Sequence, residues 1–97
     1  MLSSKSMQEL LSNLKGRISK ILNMSRSLDE NEVFALTGIF MTIDDIILWN
    51  KKLTKNKISR FKKVIKEHYA IISSIQKDYV RKHINPLIER LIEKDWE

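Results

Sequence analysis

Residues 56–84 read NKISRFKKVIKEHYAIISSIQKDYVRKHI, and the spacing of their apolar side chains decides the fold class. Ile58, Phe61, Ile65, His68, Ile72, Ile75 and Tyr79 recur at alternating intervals of three and four residues. That rhythm lines up side chains along one side of an α-helix, whereas a half-buried strand would repeat every second residue. Val64 and Ile71 widen the seam to the breadth that bundle helices bury. The spacing predicts one long helix from about Asn56 to His83 or Ile84, roughly 40 Å in length.

Asn85-Pro86 interrupts this pattern, because proline pushes the residue before it away from helical geometry. With Asn85 as N-cap and Pro86 in the first helical position, a short C-terminal helix would follow. Leu87, Ile88, Leu91, Ile92 and Trp96 would be its inward residues. A kinked continuation of the long helix is the alternative, and both stay open at this stage.

Upstream, Met7, Leu10, Leu11, Leu14, Ile18, Ile21 and Leu22 predict a first helix from about Met7 to Met24. Ser6 and Glu9 have the spacing of a capping box, as do Ser27 and Glu30 after a turn at residues 25–27. Gly16 falls inside the first pattern without breaking it. The second helix is expected to run to about Lys52 and is apolar over most of its circumference. Val33, Leu36, Phe40, Ile43 and Ile47 form one face, with Phe34, Met41 and Leu48 beside it. Asn31, Ala35, Gly38, Thr42 and Asp45 make a stripe of mostly small side chains that would let another helix approach closely. So widely apolar a helix belongs at the centre of a domain.

With 97 residues the chain supports one domain, residues 1–97, and one core. Two glycines and one proline are too few to supply the turns of a sheet protein. The expected fold is all-α: a small antiparallel bundle of three long helices plus a short C-terminal helix after Pro86. A helix reaching to His83 would outrun its partners, and its uncovered seam would be closed by a homodimer or by the last helix folding back. No cysteine is present, which removes disulfides and thiolate chemistry and suits a cytoplasmic location. No transmembrane segment is expected, since the most apolar stretch, residues 33–49, carries Asp44 and Asp45.

The charge is where function becomes legible. The net charge of +6 is not spread along the chain. Residues 1–50 and 67–97 each hold five basic and six acidic side chains. Residues 51–66 hold Lys51, Lys52, Lys55, Lys57, Arg60, Lys62, Lys63 and Lys66 and no acid. Cations at the start of a helix oppose its macrodipole, and like charges three or four residues apart repel. A sequence chosen for helix stability alone would place acids there, so the run points to an anionic partner. Of nucleic acid, an anionic membrane surface and an acidic protein, a nucleic-acid or other polyanion backbone fits it best, held by charge and counterion release. The membrane surface ranks lower because no strongly amphipathic free helix accompanies the run. Asn50, Asn56 and Arg60 could reach base edges, but no helix-turn-helix, zinc or ribonucleoprotein pattern accompanies them. Trp49 is the one stacking candidate. The plain alternative is a solvated lysine-rich surface.

Other residues point to no chemistry. Asp44 and Asp45 diverge by about 100° on a helix and cannot share an ion; Asp44 is expected to pair with a lysine, arginine or tyrosine. His68 sits in the seam as a core histidine, and His83 lies about 22 Å away along the same predicted helix. Tyr69 and Tyr79 read as core or rim aromatics. No phosphate loop, triad or metal spacing appears, so neither an enzyme nor a cofactor is expected. The second functional expectation is a protein-protein adaptor, regulatory or immunity-type protein that docks a protein partner through a helical face. That reading calls for an exposed apolar patch.

Overall fold

The apolar excess of the second helix is buried in one direction only. The computed structural model describes residues 5–24, 28–49, 52–94 and 96. In it α2 spans Glu30–Leu48 and starts at a capping box. The Asp29 carboxylate accepts from the Glu32 amide at 2.9 Å, and the Glu32 carboxylate accepts from the Asp29 amide at 3.0 Å. The box thus lies two residues after the expected Ser27 and Glu30; Ser27 and the expected turn at 25–27 lie outside the described residues. Leu28, just before the cap, packs against the core and sets the entry of the chain.

α2 buries Ala35, Leu36, Ile39, Thr42, Ile43 and Ile46. Its inner arc is therefore turned toward the small residues, and Ile47, expected inside, faces water with Phe34, Met41 and Leu48. The reason lies at Gly38. A Cβ built there would collide with three atoms of the His68 imidazole, so the missing side chain lets the ring lie against the α2 backbone. Thr42 fits the same contact because its hydroxyl donates to the Gly38 carbonyl at 2.7 Å, leaving no unmet polar group. α2 ends at Leu48, short of Lys52. The Trp49 amide closes the last turn on Asp45, and the Lys52 amide donates to the Trp49 carbonyl at 2.7 Å.

α1, Lys5–Asn23, buries Met7, Leu10, Leu11, Leu14, Ile18 and Ile21, as the periodicity requires. Ser6 is already inside this helix and so is not its cap; its hydroxyl accepts instead from the Lys94 ammonium at 2.7 Å. Lys15 reaches across to Asp44 at 2.5 Å and lies over the Phe40 ring.

α3, Lys55–Ile72, is capped by Thr54, whose hydroxyl accepts from the Lys57 amide. It stops at Ser73 and does not continue to His83. Both serine hydroxyls bond back to the helix, Ser73 to the Ala70 carbonyl at 3.1 Å and Ser74 to that of Ile71 at 2.6 Å. The amides of Ser74 and Ile75 tighten to carbonyls three residues back. Short hydroxyl side chains compete in this way with regular helix bonding and help to end it. Ile75 is still buried, so the seven-residue rhythm persists across a point where the helix does not.

The chain turns helical again at Asp78 and passes through a π-helical turn, Val80–Ile84, into α4, Asn85–Glu93. Asn85 has helical dihedrals and is not an N-cap; its amide donates five residues back, to Val80. Pro86 can donate nothing and would clash with a carbonyl four residues earlier in a regular helix. The wider turn relieves that clash without a break. Arg17 of α1 supplies a further donor, its guanidinium meeting the His83 carbonyl at 2.9 Å.

The four helices form a small antiparallel bundle in which α1 meets α2, α2 meets α3, α3 meets α4, and α4 returns to α1. The Cα radius of gyration is 12.9 Å, what a compact chain of this length should have. Because α4 covers α3, the uncovered seam that called for a dimer does not arise.

The two glycines provide a paired test. Gly38→Ala should destabilise the fold by about 1–3 kcal/mol through the His68 clash. Gly16→Ala, where an added Cβ meets nothing within 4 Å, should stabilise it by about 0.5–1 kcal/mol. Urea unfolding of both variants checks the pair; equal effects would contradict the α2–α3 contact.

Candidate anion-binding face

α3 lies between α2 and α4, and that position sorts its cations. On the α2 flank, the Lys57 ammonium sits 3.5 Å from the centre of the Trp49 ring, and His68 stacks 5.6 Å from Phe34. On the α4 flank, the Lys62 ammonium donates to the Lys94 carbonyl at 2.9 Å and lies 5.6 Å from the Trp96 ring. Trp96 is buried, as expected, and its indole donates to the Leu91 carbonyl at 2.9 Å. Tyr69 stands near Glu89 on the same side. Ile65 and Ile72 are buried, with Ile58 and Phe61 half-buried beside them.

What remains is the outer face. Lys55, Asn56, Ser59, Arg60, Lys63, Lys66, Glu67 and Ala70 are exposed. At about 100° per residue, Lys55, Arg60, Lys63 and Lys66 share one broad arc with Glu67, and the eleven steps from Lys55 to Lys66 carry it over roughly 16 Å of axis. Lys52 is exposed just before the helix. Lys51 and Asn50 lie outside the described residues. The eight cations of the sequence run thus divide into two that brace the flanks of α3, five that face water, and one not described.

Among the described residues, none of the five exposed cations pairs with an acid. The ion pairs there join Lys15 to Asp44 and Lys77 to Glu32, the latter at 3.5 Å. α2 carries four acids and no base, yet its two bonded acids draw their partners from α1 and from Lys77. The first turn of α3 has no acid, so the positive helix end adds to the lysine field.

No group of three metal-ligating side chains comes together among the described residues. Asp44 has its lysine partner, while Asp45 is exposed. His83 is exposed beside the Tyr79 ring, 5.1 Å between centroids. An open cleft of about 250 Å³ between α1 and α4 is lined by Ser6, Glu9, Leu10, Asn13, Leu87 and Arg90. No motif announces it, since its walls are some eighty residues apart. Among the described residues no helix is long and apolar enough to cross a membrane. No protein-family model, curated protein or solved structure matches the chain.

Tyr69 on α3, with Glu89 of α4 nearby, has a pH signature. Burial first, and then the nearby Glu89 carboxylate, raise the Tyr69 phenol above its ordinary value near 10. A native pKa above the unfolded one gives stability that is complete below the unfolded value and is lost as pH rises through the native value. Tyr69→Phe should change stability near neutrality little. It should also reduce the loss of stability between about pH 8 and about pH 11. Urea unfolding at both pH values, parent beside variant, checks this.

Proposed function

We propose that this chain is a non-enzymatic binding module that holds a phosphate-bearing polyanion, nucleic acid being the simplest example, on the outer face of α3. The observation that carries the reading is that Lys55, Arg60, Lys63 and Lys66 stand exposed together, four cations to the single acid Glu67, and among the described residues none of them forms an ion pair. Packing accounts for Lys57 and Lys62 but not for these four. Mutual repulsion and the helix dipole make their arrangement unfavourable until an anion arrives. Recognition would rest on charge and shape, since Trp49, the candidate stacking ring, is already covered by Lys57. The absence of cysteine suits the cytoplasm, where this reading places the protein.

A second reading is favoured by a separate observation. Phe34, Met41 and Leu48 are exposed at seven-residue intervals along the outermost line of α2, a spacing that suits a helical protein partner, a second copy first among them.

Fluorescence anisotropy with labelled duplex DNA and RNA tests the first reading. Between about 50 and 200 mM salt, the log–log slope of affinity should be on the order of −3 to −4. Changing Lys55, Arg60, Lys63 and Lys66 to Gln should remove binding, and a flat salt dependence would refute the reading. For the second, sedimentation velocity should show a dimer that Phe34→Ser with Met41→Ser abolishes; monomers throughout would exclude self-association by this stripe.

A further inference from the structure

The antiparallel arrangement brings the end of α2 and the start of α3 to one end of the bundle. There the last turn of α2 exposes three successive apolar residues: Ile47 at 47%, Leu48 at 79% and Trp49 at 37% of their surface. The fold does not require this. Ile46 alone completes the inner arc at that level, and Leu53 covers the core across the connection. Lys57 lays its ammonium over the Trp49 ring, the Lys52 amide bonds the Trp49 carbonyl, and exposed Lys52 and Lys55 flank the connection into α3.

An apolar tip with lysines beside it has a specific chemical complement. A nucleic-acid backbone rewards the lysines but gains little from Ile47 and Leu48. An anionic bilayer rewards both, since acyl chains take up the aliphatic groups, headgroup phosphates take up the ammonium groups, and an indole favours the boundary between them. Long lysine stems keep their charges in the headgroup layer while their methylenes lie along apolar surface. Asp45, one turn back and exposed, limits how deeply the tip can enter and makes this a shallow contact.

We propose that the end of the bundle formed by Ile47, Leu48, Trp49, Lys52, Lys55 and Lys57 docks on an anionic lipid surface, with the apolar three entering the headgroup boundary. This rests on the reading of α3 as an anion-binding face and extends it, through Lys55 at the start of the helix, to lipid phosphate at the tip.

Vesicle co-sedimentation tests it, using phosphatidylcholine alone and phosphatidylcholine mixed with phosphatidylglycerol. The parent should sediment with the mixed vesicles only, and its tryptophan emission should shift to the blue, reporting Trp49 because Trp96 is already buried. Leu48→Ser, at a site too exposed to affect folding, should lower the partition coefficient about tenfold. Lys52→Gln with Lys55→Gln should abolish binding. Undiminished binding by Ile47→Ser with Leu48→Ser would overturn insertion. Failure to bind mixed vesicles, with salt-steep DNA binding retained, would overturn the lipid assignment and leave the anion-binding face standing. Failure on both vesicles and DNA would remove both.

Discussion

The reversal of the chain at Ser73 and Ser74 is the constraint on which the rest of the bundle depends. Two serine hydroxyls bonded to the carbonyls of Ala70 and Ile71 end α3 after about five turns and free the following residues to change direction. Had the helix run on, its distal turns would have lain beyond α1 and α2 with no cover. Instead Ile75 drops into the core, and Val80, Ile84, Leu87, Ile88 and Leu91 return along α1 and α3. The π turn belongs to the same solution. It admits Pro86 into a continuous return helix, and Arg17 donates to one of its carbonyls.

Once α4 is folded back, α3 has neighbours on both flanks and only its outer side is left to water. That geometry gives the basic run two jobs. Lys57 and Lys62 lie at the edges, where each covers a tryptophan with a cation and its stem, contacts worth about 0.5–1 kcal/mol at partly exposed sites. Lys55, Arg60, Lys63 and Lys66 lie between those edges and touch no acid among the described residues. A surface meant only to be soluble would intersperse both signs. Here α2 carries four acids and no base, while α3 carries six bases and one acid, so the excess charge of a small protein is concentrated on one helix. This segregation underlies the functional reading.

Much of this was legible in the residues themselves. The inner faces of α1 and of α3 as far as Ile72 follow from periodicity, as does the inward turn of Trp96, although Ile71, expected to widen the α3 seam, is exposed at its edge. The end of α3 was hidden because Ile75 and Tyr79 continue the rhythm past it, and a helical period cannot reveal hydrogen bonds that serines take from the backbone. The buried arc of α2 was misread for a different reason. A helix apolar nearly all round has no clear inner direction, and the close approach at Gly38 turned the inner face toward its small residues. The basic run was visible as a run, but its division between braces and exposed cations depends on Trp49 and Trp96, which only the tertiary fold brings near. The cleft between α1 and α4 had no local signal at all.

The central claim is that the outer side of α3 is where an anion meets this protein. The most direct measurement is a two-dimensional amide nuclear magnetic resonance titration with a short DNA duplex as the polyanion. The account predicts fast-exchange shifts concentrated at Lys52, Lys55, Ser59, Arg60, Lys63 and Lys66, with the amides of α1 and α4 unmoved. Shifts centred on Ser6, Glu9, Asn13 and Arg90, or an unchanged spectrum at low salt, would contradict it.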